Sequence, residues 1–159
     1  MANANSADRE IAASQHVKAT PQQVFDAWTD PIHLQRWWAL DGFTTSTSSF
    51  DFRPGGIWVN MLHWKDGGAF PNVVIFREIE PAKRIVFAIA DGQDPKAAEA
   101  FETAATFDAD ESGTTITFRT LYPSAEARDQ AIRDFNAIEG TKVTLRRLVD
   151  YVTETVNAR

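Results

Sequence analysis

The stretch TKVTLRRLVDYV, residues 141–152, carries the pattern that decides the fold. Its apolar residues follow the spacing of one face of an α-helix, with charged residues between them. The stripe begins at Val143 or Thr144 and continues with Leu145, Leu148, Val149 and Val152. Most of the stability of such a helix comes from packing its apolar face against another element. The rest of the chain must therefore supply a surface on which a long C-terminal helix can lie.

The middle of the chain predicts that surface, because it has the pattern of an antiparallel sheet. Short runs of apolar and β-branched residues alternate with turn signals such as Pro54-Gly55 and Asp66-Gly67. The runs predict six strands, at 43–52, 57–64, 70–79, 84–90, 101–108 and 114–121. Their short connections indicate a meander. A further strand is expected between residues 10 and 20, which makes about seven in all.

Helices are predicted before and after the meander. Thr20, Pro21 and Gln23 form the N-cap, the first turn and the capping box of a short helix, and a second short helix starts at Pro31. After the meander, a helix is expected over 125–136, and the chain continues as helix past Gly140. A glycine inside a helix costs about 1 kcal/mol relative to alanine. Gly140 therefore marks either a boundary between two helices or a close approach to the sheet.

The composition is typical of one globular domain and excludes several classes of function. The chain has 159 residues, of which 43% are hydrophobic, and its 16 basic and 22 acidic residues give a net charge of −6. This balance argues against nucleic acid or an anionic membrane as the main partner. The absence of cysteine excludes disulfides and thiolate chemistry. We expect a disordered tail over 1–8, a single domain over 9–159 and a cytoplasmic location without membrane insertion.

No catalytic signature accompanies this pattern. The sequence contains no Walker loop, no dinucleotide fingerprint and no Gly-x-Ser-x-Gly motif. The three histidines lie on different predicted elements, so no metal site and no cofactor are expected. The few candidates for acid–base chemistry are Arg53, His63, Glu78 and Tyr122. An enzymatic activity is therefore a weaker hypothesis than binding.

The motifs along the chain resemble those of one family. In order, they are Ala27-Trp28-Thr29-Asp30-Pro31, Trp37-Trp38, Gly42-Phe43, Asp51-Phe52-Arg53-Pro54-Gly55-Gly56, Trp58, Asp66-Gly67, Glu78-Ile79-Glu80-Pro81, and Leu148 with Tyr151. Together they resemble the bacterial proteins named for the activator of heat-shock protein 90 ATPase (its C-terminal domain). Those proteins belong to the START-like, or SRPBCC, helix-grip superfamily. The resemblance extends from about Arg9 to Val152.

This resemblance implies an α+β helix-grip fold. In that fold, a curved antiparallel sheet of about seven strands wraps around a long C-terminal helix, with two short helices after the first strand. It also implies a hydrophobic cavity between the sheet and the helix. The superfamily mostly binds lipids, polyketides and other apolar small molecules, and some members are cyclases or hydrolases.

Several residues are candidates for the wall of such a cavity. The two alternating sets of the strand 57–64 are both largely apolar, so the alternation alone does not choose the inner face. The family pattern places the Trp58 set inward, which puts the amide of Asn60 in an apolar cavity. Adjacent Trp37 and Trp38 cannot face the same way, so one is expected in the core and the other at the cavity mouth. The predicted ligand-binding residues are Trp37, Phe43, Trp58, Asn60, Leu62, Phe76, Phe87, Phe118, Thr144 and Leu148.

The C-terminal helix adds two hydroxyl groups to the predicted cavity wall. Thr141 and Thr144 either reach a ligand or bond back to carbonyls of their own helix. The leading hypothesis is the binding of an apolar small molecule in the cavity, without an identified catalytic activity. The alternatives are a cyclase- or hydrolase-like enzyme on the same fold, or a co-chaperone-like interaction module. A homodimer is a further expectation, through Val59 and Met61 on the outer face of the sheet.

Overall fold

The computed structural model describes residues 7–91 and 102–158 of the chain. Most of the predicted N-terminal tail lies outside the described residues, and its described end enters a one-turn 3-10 helix over Ala7–Arg9. Seven strands follow in the chain. Their bounds are β1 Glu10–Val17, β2 Phe43–Phe50, β3 Ile57–Trp64, β4 Ala69–Glu80, β5 Arg84–Asp91, β6 Glu102–Asp110 and β7 Gly113–Leu121.

The seven strands form one antiparallel sheet in the order β1-β7-β6-β5-β4-β3-β2. Strands β2 to β7 are a meander, and β1 pairs with β7 at the far edge, with Glu10 opposite Leu121 and Val17 opposite Thr114. The predicted strand start at residue 101 and the turn residue Gly92 lie outside the described residues. The antiparallel meander and the α+β class predicted from the sequence are confirmed.

Two short helices connect β1 to β2, as predicted. They are α1, Pro21–Asp26, and α2, Pro31–Trp37. The capping box at the start of α1 is present: the Gln23 amide N–H donates to Thr20 Oγ1 at 3.1 Å, and the Thr20 N–H donates to Gln23 Oε1 at 2.8 Å. Asp30 caps α2 by accepting from the Ile32 N–H. These local signals fix the residues at which the two helices begin.

The C-terminal part contains two helices, α3, Ala125–Phe135, and α4, Ala137–Asn157. They meet at Asn136, whose left-handed backbone (φ 51°) ends the first helix. Gly140 is therefore not the boundary between them. It lies inside α4, where an added Cβ would stand 3.7 Å from the Leu40 side chain.

The main core lies between the inner face of the sheet and α4. The helix buries Leu145, Leu148, Val149 and Val152, which are four residues of the stripe seen in the sequence. At the centre of the core is Trp28, which is fully buried. A smaller apolar cluster on the opposite face of the sheet contains Val73, Ile75, Ala88 and Ala90. None of the helices in the described residues is both long and apolar enough to cross a membrane.

Candidate functional site

A cavity of about 340 Å³ lies between the inner face of the sheet and the first turns of α4. The loop after α2 and the start of β2 close its third side. The residues around it are Trp38, Ala39, Leu40, Phe43, Leu62, Asn72, Phe87, Ile89, Thr103, Phe118, Thr120, Tyr122, Ala137, Gly140, Thr141 and Thr144. Most of these side chains are aromatic or aliphatic, which is typical of a small-molecule site.

The structure brings half of the predicted ligand-binding residues to this cavity. Those that line it are Phe43, Leu62, Phe87, Phe118 and Thr144. Those that lie in the buried core outside the lining are Trp37, Trp58, Asn60, Phe76 and Leu148. The predicted site therefore divides into a cavity wall and the core that supports it.

Of the two adjacent tryptophans, one lies in the core and the other lines the cavity. Trp37 is fully buried, and its indole N–H donates to the Ala27 carbonyl at 3.0 Å. Trp38 lines the cavity, and its indole N–H donates to Asn72 Oδ1 at 3.3 Å. The expectation that one tryptophan packs in the core and its neighbour faces the cavity agrees with this geometry, with Trp38 in the cavity position.

The predicted ligand-binding set omitted several lining residues on β4, β5, β6 and β7. They are Asn72, Ile89, Thr103 and Thr120. Tyr122, directly after β7, also lines the cavity, and the sequence indicated it only as an acid–base candidate. The register explains why they belong to the wall. Asn72 is opposite Asn60, and Thr103 is opposite both Phe87 and Thr120. A signal was present in the alternation of these strands, but it identifies the inner face only once the pairing is known.

The hydroxyl groups around the cavity are mostly engaged within the protein. Thr103 and Thr120 share a hydrogen bond of 2.8 Å across β6 and β7. Thr141 donates to the Ala137 carbonyl of its own helix at 2.8 Å. Thr144 donates to the carbonyl of Ala39, in the loop after α2, at 3.3 Å. Burial raises the pKa of the Tyr122 phenol above its ordinary value. Tyr122 is therefore neutral at physiological pH.

The mouth loop, Trp38 to Gly42, is attached to α4 by arginine side chains. Arg147 donates to the Leu40 carbonyl at 2.6 Å and to the Trp38 carbonyl at 3.3 Å. Arg146 binds the Asp41 carboxylate at 2.6 Å, and this hydrogen bond holds the pKa of Asp41 below its ordinary value. Since α4 also lines the cavity, the helix positions both the wall and the mouth.

The cavity wall carries no formal charge among the described residues. No Asp, Glu, His, Lys or Arg lines it in the part of the chain that the structure describes. Arg53 pairs with Asp51, His63 bonds to Ser46, and Glu78 lies near Arg84, so three of the four acid–base candidates do not converge there. Within residues 7–91 and 102–158, no group of three or more His, Asp or Glu side chains is placed to hold a metal ion.

A second, larger groove of about 940 Å³ lies on the outer face of the sheet. It is crossed by ion pairs, including Arg77 with Glu102 at 3.2 Å and Arg119 with Glu10 at 3.2 Å. Three of its four arginines, Arg77, Arg84 and Arg119, have carboxylate partners. The inner cavity is the better candidate because its wall is uncharged and mostly aromatic or aliphatic, whereas many charged side chains line the outer groove.

Asn60 stands out among the buried polar residues of the sheet. It is 2% exposed, and neither its amide nitrogen nor its carbonyl oxygen has a hydrogen-bond partner among the described residues. A buried polar group without a partner costs about 1–3 kcal/mol. Its cross-strand neighbour Asn72 differs, because Asn72 accepts a hydrogen bond from Trp38.

We expect the substitution Asn60→Val to raise the free energy of unfolding by about 1–3 kcal/mol, because it removes two unpartnered atoms from the interior. The matched control is Asn72→Val, which loses the bond from Trp38 and should leave stability unchanged or lower it. Urea denaturation of the two variants and the parent measures both effects. A loss of stability in Asn60→Val as large as in Asn72→Val would contradict the prediction.

Comparison with known proteins identifies relatives by family and by fold. The family model described as "Activator of Hsp90 ATPase homolog 1-like protein" matches residues 18–153. A comparison with curated proteins gives no match.

Solved structures of similar fold come from several bacteria. A protein from Nitrosomonas europaea has a TM-score of 0.81 at 20% identity, covering 96% of this chain and 99% of that one. A protein from Arthrobacter aurescens has a TM-score of 0.82 at 19% identity, covering 94% and 89%. A protein from Aeromonas hydrophila, described as AHSA1-like, has a TM-score of 0.72 at 22% identity, covering 94% and 95%. These identities show a shared fold.

Proposed function

Since the chain belongs to the family of activator of Hsp90 ATPase homolog 1-like proteins, and its fold contains an apolar cavity, we propose that it binds a hydrophobic small molecule there. The observation that carries the proposal is the cavity of about 340 Å³ lined by aromatic side chains. This volume lies within the usual range of about 300–1,000 Å³ for small-molecule sites.

The chemistry of the wall supports this function. Trp38, Phe43, Phe87 and Phe118 present rings to the cavity, and Leu62 adds an aliphatic contact. Transfer of apolar ligand surface from water to such a wall contributes about 25 cal/mol per Å². No described lining residue offers a nucleophile with an adjacent base, so binding is the function that this wall supports best.

The direct test is native mass spectrometry of the protein as purified. A molecule that is released on denaturation in stoichiometric amount would support the proposal and identify the ligand. If the mass is that of the bare chain, and lipids and neutral aromatic compounds produce no thermal shift, the cavity is not a ligand site. In that case a protein partner becomes the leading hypothesis, and gel filtration with a chaperone tests the co-chaperone-like role.

A cavity-blocking variant gives a second test. We expect Gly140→Phe to weaken binding of the neutral fluorescent probe N-phenylnaphthylamine by at least about tenfold, because Gly140 lines the cavity and faces Leu40. The matched control is Glu139→Phe, which adds the same ring at an exposed position of the same helix. Fluorescence titration measures both variants. Equal affinity in Gly140→Phe and the parent would show that the probe binds elsewhere.

The cytoplasmic location and the homodimer remain predictions. The half-buried Val59 and Met61 lie on the outer face of β3, where a second copy would have to pack. Analytical ultracentrifugation measures the oligomeric state directly.

A further inference from the structure

A band of buried polar side chains crosses the inner face of the sheet at the cavity end. Its members are Thr45 on β2, Asn60 on β3, Asn72 on β4, Thr103 on β6 and Thr120 on β7. All five are at most 9% exposed. Buried polar groups are costly unless they are hydrogen-bonded, so a band of them beside an apolar cavity calls for partners.

The side chains of the band on β4, β6 and β7 have hydrogen-bond partners, whereas those on β2 and β3 have none among the described residues. Thr103 and Thr120 bond to each other, and Asn72 accepts from Trp38. Both amide atoms of Asn60 and the hydroxyl of Thr45 have no partner among the residues that the structure describes. These three unpaired atoms offer three hydrogen-bond donors, two from the Asn60 NH2 group and one from Thr45, and two acceptor oxygens.

The register places Asn60 at the edge of the cavity. Leu62, two residues further along β3 and on the same face, lines the cavity, and so does Asn72, which is directly opposite Asn60. Thr45 is opposite Leu62 on β2. An occupant of the cavity that contacts Leu62 and Asn72 is therefore next to the unpaired amide.

Trp38 lines the cavity and contacts two neighbours of Asn60. Its indole ring packs against Trp58, 5.1 Å between ring centroids, and donates to Asn72. Trp58 lies two residues before Asn60 on the same face of β3, and Asn72 is opposite Asn60 on β4. The bond to Asn72 is long at 3.3 Å, and the next residue, Ala39, has a left-handed backbone (φ 77°), which is costly for a non-glycine residue.

We infer that the ligand is uncharged and carries a hydrogen-bond donor and acceptor side by side, as a lactam or carboxamide does, and that this group pairs with the Asn60 amide after Trp38 moves aside. This inference rests on the proposed function. A planar amide edge satisfies the Asn60 nitrogen and oxygen together. A carboxylate offers only acceptors, and its burial against a wall without a described cation would be costly.

Three probes of nearly equal size separate the contributions of the hydrogen-bond donor, the acceptor and the apolar ring system to affinity. Isocarbostyril has an adjacent N–H and C=O, N-methylisocarbostyril lacks the donor, and naphthalene lacks both groups. We expect the affinity of the parent protein to fall about tenfold from isocarbostyril to the N-methyl compound. Titration followed by tryptophan fluorescence measures binding. The fluorescence change caused by isocarbostyril should include a contribution from Trp38, so its amplitude should be smaller in Trp38→Phe.

The variant Asn60→Val completes the test. We expect it to bind isocarbostyril about tenfold more weakly and naphthalene as well as the parent does. Thr114→Val is the control: Thr114 is a fully buried polar residue of β7 outside the cavity lining, so this variant should keep the preference for isocarbostyril over its N-methyl derivative. Naphthoate should bind more weakly than naphthalene to every variant.

The outcomes distinguish the two proposals. If naphthalene and isocarbostyril bind the parent equally and Asn60→Val changes neither, the amide inference is overturned while the apolar cavity remains a ligand site. If naphthoate binds the parent more tightly than isocarbostyril does, the uncharged class is wrong. If none of these probes and no N-phenylnaphthylamine binds, the proposed function itself fails. The comparison within the parent protein holds even if a variant does not fold.

Discussion

Replacing Trp28 with alanine is expected to lower the free energy of unfolding by about 3–5 kcal/mol, the range for aromatic side chains removed from a core. Trp28 has no exposed surface, and its ring lies 4.8 Å from that of Trp37 and 6.0 Å from that of Phe118, centroid to centroid. The side chain joins the short helices to the sheet, so the cavity left behind cannot close by a local shift. Urea denaturation followed by circular dichroism measures the loss.

Two control variants test whether the loss of stability in Trp28→Ala comes from removing a buried ring. Trp28→Phe keeps a ring and removes the indole N–H, which is buried without a hydrogen-bond partner in the structure. It should therefore lose clearly less stability than the alanine variant. Ile32→Ala, at a position 69% exposed, should change stability by less than about 0.5 kcal/mol. A loss below about 1 kcal/mol in Trp28→Ala would mean that the packing around this ring is not the centre of the core.

The second large effect is expected at Gly56, where alanine should cost about 3 kcal/mol or more. A Cβ at Gly56 would overlap the Asp51 carbonyl oxygen and stand 2.9 Å from the Arg53 carbonyl oxygen. Both are backbone atoms, so no flexible side chain can move to make room. The Gly56 carbonyl also accepts from the Phe76 N–H at 2.9 Å, which connects this turn to β4.

Gly55 provides a control one residue away. Its backbone is left-handed (φ 84°), but a Cβ there would meet no heavy atom within 4 Å. Gly55→Ala should therefore cost only the conformational strain of about 1–2 kcal/mol. Thermal unfolding of both variants compares steric overlap with backbone strain in one turn. Equal losses in Gly55→Ala and Gly56→Ala would contradict the expectation of a steric clash.

The same turn shows how far sequence reasoning reaches. The residues Pro54-Gly55-Gly56 predict a turn between two strands, because glycine accepts positive φ angles and proline presets its own. The sequence does not distinguish the role of Gly55 from that of Gly56. That difference depends on which backbone atoms fold back over the turn, and these are Asp51 and Arg53 in the tertiary structure.

The candidate site likewise contains residues that the sequence identifies and residues that it does not. The aromatic residues of an apolar wall can be recognised from their alternation on strands, and Phe87 and Phe118 were found in this way. Asn72, Thr103 and Thr120 were not. Strand β4 is apolar on both faces next to Asn72, and β6 and β7 carry threonine on both faces, so alternation alone does not choose the inner face. Pairing across the sheet places these residues on the inner face, with Asn72 opposite Asn60 and Thr103 opposite Phe87 and Thr120.

The sequence by itself determined the meander, the capped short helices and the long amphipathic helix. Each of these depends on local chemistry: φ angles that glycine and proline permit, side chains that cap the first turn, and a stripe at helical spacing. The tertiary structure alone decided that Trp38 rather than Trp37 faces the cavity, that the helices break at Asn136, and that Asn60 lacks a partner. The first and the last of these depend on contacts between residues far apart in the chain, which periodicity within one element does not encode.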